Sequence, residues 1–88
     1  MAFTGSLDEQ FAQAQAAVKT LSADTGNEVK LQLYALYKQA TSGDASGKRP
    51  GFTDPVGRAK FDAWSKVKGT SSDAAKQQYI DTVAGLVG

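Results

Sequence analysis

The sequence predicts an all-α fold, a four-helix bundle in up-down-down-up order with a long loop joining helices 2 and 3. Three observations predict it. Apolar residues recur at spacings of three and four in four separate segments, the signature of amphipathic helices. No segment alternates apolar and polar residues as a half-buried strand does. The segment from Gly43 to Thr53, GDASGKRPGFT, is eleven residues long, whereas two to eight are usual between the helices of a bundle.

The first helix carries Leu7, Phe11, Ala14, Val18 and Leu21 on one stripe, and Ser6 with Glu9 has the spacing of a capping box. Thr25-Gly26-Asn27 breaks the pattern, and Thr25 with Glu28 offers a second box. The second helix runs from about Asn27 to Ser42, with Leu33, Leu36, Tyr37 and Ala40 as its buried face and Gly43 as its C′ residue. Fully extended, the following loop reaches about 35 Å. A helix of sixteen residues is about 24 Å long. The loop is therefore able to travel back along the second helix, so that the third runs parallel to it.

Asp54-Pro55 starts the third helix: the aspartate caps free N–H groups, and proline fits the first position, where its missing N–H is not needed. Trp64 and Val67 are assigned to the core with Phe61 at its edge, and Gly69 stops the helix after Lys66 and Lys68. Thr70-Ser71-Ser72 supplies N-cap choices for the fourth helix. Its stripe is Ala75, Tyr79, Val83 and Leu86, with Ile80 and Val87 beside it.

Composition narrows the function. A chain of 88 residues forms one small domain, 1–88. With no cysteine and no histidine, it has no thiol chemistry, no disulfide, and neither the commonest metal ligand nor the commonest general base at neutral pH. Ten basic and nine acidic residues give a net charge of +1, not the basic footprint of a nucleic-acid binder. The apolar runs are too short for a membrane span, and the N-terminus lacks the n- and h-regions of a secretory signal. A cytoplasmic, monomeric protein is expected. No catalytic constellation is visible, so no enzyme activity, metal or cofactor is expected.

The stretch Leu33 to Thr41, LYALYKQAT, stands out. Tyr34, Tyr37 and Lys38 are three and four residues apart and share one helical face. Two phenols beside an ammonium are suited to holding an anion and packing against a flat ring. Gly57 to Trp64, GRAKFDAW, adds a second cation and more aromatic surface. The pair points to a phosphorylated, ring-bearing ligand. The simpler reading of each residue remains open at this point: a tyrosine in an apolar stripe as core with its hydroxyl at the rim, a lone lysine as a solvated group. Phe11, Trp64 and Val83 are assigned to the core, Lys48-Arg49 to solvent, and Asp62 to an i,i+4 pair with Lys66. A helical protein–protein module, its tyrosine face docking a partner helix, is the alternative function.

The motifs YxxYKQAT, GD, RPG, D, G(R/K)AK(W/F)DAW, KG(T/S)S and YI occur here in order, from about Phe11 to Val83, and in them the chain resembles the acyl-CoA-binding proteins. The resemblance implies a four-helix bundle with parallel second and third helices. It also implies non-covalent binding of medium- to long-chain fatty acyl-CoA esters, with an intracellular pool and carrier role and acyl-CoA-using enzymes as transient partners. The ligand residues it implies are Lys19, Leu31, Tyr34, Tyr37, Lys38, Lys60 and Tyr79: Lys38 and Lys60 on phosphate with Lys19 assisting, Tyr34 hydrogen-bonded to it, Tyr37 on the same wall, Tyr79 beside the nucleotide, and Leu31 in the acyl groove. Three positions depart from the family pattern. Phe61 stands where many members have Trp, Val56 where lysine is common, and Asp24 where a basic residue is common.

Overall fold

The computed structural model describes residues 3–21 and 26–87. Four helices follow in order: α1 (Leu7–Lys19), α2 (Asn27–Ser42), α3 (Pro55–Lys66) and α4 (Ser72–Val87). No strand occurs among the described residues. The starts are fixed by the residues that the sequence marks. Ser6 and Glu9 form a reciprocal capping box, and Asp54 accepts the Gly57 N–H at 3.1 Å. Ser71 accepts the Ala74 N–H at 3.1 Å. The start of α2 differs. Its cap is Gly26, which has no side chain to offer, and the expected cap Thr25 lies outside the described residues. Gly57 follows from the Asp54 cap, because a Cβ there would run into the capping carboxylate.

Pairs of contacts give the helix directions. Asp8 Oδ1 accepts from Lys76 Nζ at 2.6 Å, and Phe11 meets Tyr79. The numbers rise together, so α1 and α4 are parallel. Lys60 sits over Tyr34 and Lys38 over Trp64, so α2 and α3 are parallel. The end of α2 meets the start of α4, where Ser72 Oγ donates to the Ala40 carbonyl at 2.7 Å. The order is therefore up-down-down-up, and the long loop returns the chain as its reach allowed.

α4 packs on α1 and α2, while α3 packs on α2, and the molecule is 15 Å across its thinnest direction. The core is Phe11, Ala14, Leu33, Leu36, Ala40, Ala75, Tyr79, Ile80 and Val83, drawn from α1, α2 and α4. α3 contributes no fully buried residue, so two expectations need correction. Trp64 is half-buried. Its Nε1 donates to the Gly43 carbonyl at 2.8 Å, tying the end of α3 to the end of α2. Tyr37, expected on the buried face of α2, is 39% exposed, while Gln39, on a different face of the helix, is buried.

Gln39 explains much of the KQAT…GD…KGTS pattern. Its Nε2 donates to Asp44 Oδ1 at 2.7 Å and to the Thr70 carbonyl at 2.9 Å. Both partners are acceptors, which fixes the orientation of the amide. Asp44 Oδ1 also accepts the Gly69 N–H at 2.8 Å, and Gly69 takes φ +89°, a conformation that favours glycine. These groups clamp the α3–α4 turn onto the end of α2. A second tie corrects the pairing of Asp62 with Lys66: its partner is Arg49, which stays exposed as expected. Arg49 Nε and Nη2 each donate to an Asp62 carboxylate oxygen at 2.7 Å, pinning the loop to α3.

These carboxylates make stability pH-dependent. The Gly69 N–H, then the Gln39 amide, holds Asp44 below its ordinary value. Arg49 does the same for Asp62, and the Ser6 backbone and hydroxyl for Glu9. A group with a lowered native pKa stabilises the fold fully above its unfolded value, about 4, and loses that contribution as pH falls toward the native value. Melting temperature should hold from neutrality to about pH 5 and then drop with acid. In Asp44→Asn, which cannot titrate, the drop should be shallower. Thermal melts followed by circular dichroism across that range check this, and identical slopes for both proteins would remove Asp44 from the account.

Candidate functional site

The parallel course of α2 and α3 builds the site. It lays Tyr34 and Lys38, one turn apart on α2, beside Lys60 and Trp64, one turn apart on α3. Lys60 Nζ is 5.3 Å from the centre of the Tyr34 ring. Lys38 Nζ is 5.0 Å from the Trp64 ring. Both are cation–π distances, and they hold two ammonium groups along one seam. Tyr34 and Lys38 are half-buried, while Lys60 is exposed, so the seam faces water and is able to take a soluble anion.

Next to the seam, an apolar cleft of about 360 Å³ runs toward the helix starts. Leu31 and Tyr34 of α2 and Val56, Ala59 and Lys60 of α3 line it, with Asn27, Lys30 and Pro55 at the end. Because both helices begin here, both positive dipole ends lie at this end of the cleft and add to the charge of Lys30 and Lys60. Val56, at a position often lysine in the resemblance, gives the cleft an apolar wall in place of a cation. A second hollow of about 540 Å³ shares Leu31 and Ala59 as walls and is lined further by Glu28, Gln32, Asp62 and Lys66.

The structure thus brings together four of the seven expected ligand residues, Leu31, Tyr34, Lys38 and Lys60. Tyr37 and Tyr79 belong to an adjoining cluster. The Tyr37 ring is 6.2 Å from Phe11, and Phe11 meets the Tyr79 ring edge-on at 5.1 Å. Burial, and then the neighbouring Tyr37, pushes the Tyr79 hydroxyl above its ordinary pKa, so it remains a neutral donor at physiological pH. Lys19 ends α1 and is exposed. No hydrogen bond, ion pair or ring contact among the described residues joins it to the Tyr34–Lys60 pair. Phe61 sits at the seam's edge, its ring 6.3 Å from Trp64. Asp24 lies outside the described residues.

Sequence reasoning missed Lys30, which shares the cleft and stands four residues before Tyr34, a helical spacing that was legible. It also missed Pro55 and Val56 as cleft walls. Nothing local marked them, since their role comes from which side of α3 meets α2. Among the described residues no group of three or more potential metal ligands is found. The arrangement offers paired cations, a phenol and flat aromatic surface at the head of an apolar groove. That suits an amphiphile with a phosphorylated, ring-bearing head.

Comparison with known proteins places the sequence and the fold. The family model described as "Acyl CoA binding protein" matches residues 8–83. An "Acyl-CoA-binding protein homolog" of Drosophila melanogaster is 49% identical, across 92% of this chain and 94% of that one. "Enoyl-CoA delta isomerase 2" of Rattus norvegicus is 47% identical over 89% of this chain, but the match takes up 20% of that longer protein. The crystal structure of Oryza sativa Acyl-CoA-Binding Protein 2 superposes with a TM-score of 0.89 at 43% identity, covering 93% of this chain and 91% of that one. On sequence and fold alike, the chain belongs to the acyl-CoA-binding protein family.

Proposed function

We propose that this chain binds medium- to long-chain fatty acyl-CoA esters with high affinity and without covalent chemistry. It acts as a single domain, keeping a cytoplasmic pool of the esters and passing them, as a monomer, to enzymes that use them. The observation that carries the reading is the Lys60–Tyr34 pair at the head of an apolar cleft, with Lys38 one turn away. Lys38 and Lys60 hold the phosphate, and Tyr34 donates its hydroxyl to it. Tyr37 forms part of the nucleotide wall, and the neutral Tyr79 hydroxyl stands beside it. Lys19 adds a charge from α1, and Leu31 lines the path of the acyl chain.

Titration calorimetry with palmitoyl-CoA tests this, with Trp64 emission as a second readout because the Lys38 ammonium lies over its ring. A thiol reagent follows the fate of the thioester, since a protein without cysteine gives no background. Binding without release of CoA thiol is expected. Neither heat nor an emission change would leave the helical protein–protein module as the reading.

Charge-assisted hydrogen bonds contribute roughly 1.5–3 kcal/mol each. Lys38→Ala should therefore weaken binding at least about tenfold, and Tyr34→Phe several-fold, with helix content unchanged by circular dichroism. Unaltered affinity in both variants would take these residues out of the site.

A further inference from the structure

The cleft below the Lys60–Tyr34 pair follows α2 from Tyr34 back to Asn27, seven residues or about 10 Å of helix. An extended palmitoyl chain is longer than that. Straight on, its end would meet the Asn27 amide and the Lys30 ammonium, where both helices present their positive dipole ends. Hydrocarbon gains nothing there. The second hollow begins at Leu31 and Ala59, which are walls of both spaces, and it offers the chain apolar surface. One helical turn on from Leu31 stands Ala35, and one turn on from Ala59 stands Ala63, with Val67 beyond. Ala35 is 1% exposed, so this wall reaches down to the packed interior. At the rim, both oxygens of Asp62 already accept from Arg49, so a passing tail strips no unpaired charge.

We infer, resting on the seam as the acyl-CoA head site, that the distal part of a long acyl tail turns at Leu31 and Ala59 and lies in the second hollow. The first cleft then holds the near part of every tail, and the second hollow sets how long a chain is preferred. Ala59 makes the turn possible, since a methyl is all that α3 places at the corner. A short ester ends within the first cleft and leaves the hollow to water. In a longer one, each further methylene is withdrawn from water against Ala35, Ala63 and Val67. Affinity therefore keeps rising after the first cleft is full.

Filtered Overhauser contacts between isotope-labelled protein and unlabelled palmitoyl-CoA locate the end of the tail. Its terminal methyl should contact the side chains of Ala35, Ala63 and Val67, and not that of Val56. Calorimetry with octanoyl-, palmitoyl- and arachidoyl-CoA follows the effect of length. At half burial, affinity should rise about tenfold for every four methylenes added, through arachidoyl-CoA. Ala63→Leu fills the hollow, so the gain from octanoyl- to palmitoyl-CoA should shrink at least about tenfold.

Two results would overturn the inference while the head site stands. One is a terminal methyl that contacts Val56 and none of the hollow's walls. The other is an unaltered octanoyl-to-palmitoyl gain in an Ala63→Leu protein of parental helix content. The Overhauser contacts are read on the parent chain, so they decide the matter even where Ala63→Leu fails to fold. If no ester binds at all, the reading of the seam falls, and the tail site falls with it.

Discussion

Palmitoyl-CoA is expected to bind at least about a thousandfold more tightly than free CoA. The head group alone has a narrow margin. A few charge-assisted contacts at roughly 1.5–3 kcal/mol each stand against an association cost of about 4–15 kcal/mol. The tail changes the balance, because each buried methylene contributes about 0.8 kcal/mol. Fourteen of them, fully buried, would contribute on the order of 11 kcal/mol. The cleft is open on one side, so about half that value applies, which is still three to four decades of affinity. Charge at the seam then sets which head is accepted, and the groove sets how strongly it is held. Calorimetry against palmitoyl-CoA, a short-chain ester and free CoA measures the difference directly. Equal affinity for free CoA and the long-chain ester would show that the groove between α2 and α3 does not take the tail.

The bundle was legible in the sequence because helix spacing and caps are local. Ser6–Glu9, Asp54-Pro55 and Gly43 each act through residues within four positions, and the boundaries of α2 fall where the pattern stops. Loop length carried the parallel course of α2 and α3, since only a long return allows it. The seam was legible for a related reason. Tyr34 and Lys38 share a helix face wherever that helix goes, and the family motifs supplied Lys60.

What stayed hidden depends on long-range packing. Trp64 reads as core because it is large and apolar. α3 leans on α2 alone, however, so the indole spends its N–H on the Gly43 carbonyl and its face on Lys38. Tyr37 left its expected place on the buried face of α2, and Gln39, to which the sequence assigned no place, is buried. A buried glutamine is acceptable only where partners for its amide exist. Those partners, Asp44 and Thr70, come from beyond the helix. Part of the family pattern therefore holds the scaffold rather than the ligand. Gln39, Asp44 and Gly69 set how the α3–α4 turn sits, and so how far Lys60 stands from Tyr34.

Tyr79→Ala is expected to cost about 3–5 kcal/mol of stability, a large share of what a small domain has. The ring is 5% exposed and meets Phe11 edge-on at 5.1 Å, at the junction that joins α1 to α4. Truncation leaves a hole bounded by Phe11 and by the α2 core face, which short helices cannot readily collapse to fill. For a domain of this size each kcal/mol moves the melting temperature by about 4–8 °C, so a fall of well over 10 °C is expected. Ligand affinity should fall as well, because the Tyr37 ring would lose the Phe11–Tyr79 support behind it. Tyr79→Phe separates the two roles. It keeps the ring and removes only the hydroxyl, so it should melt within a few degrees of the parent, while any loss of acyl-CoA binding then reports the hydroxyl alone. A Tyr79→Ala protein that melts with the parent would mean that the α1–α4 junction is held by its other contacts. A Tyr79→Phe protein with full affinity would confine Tyr79 to the core.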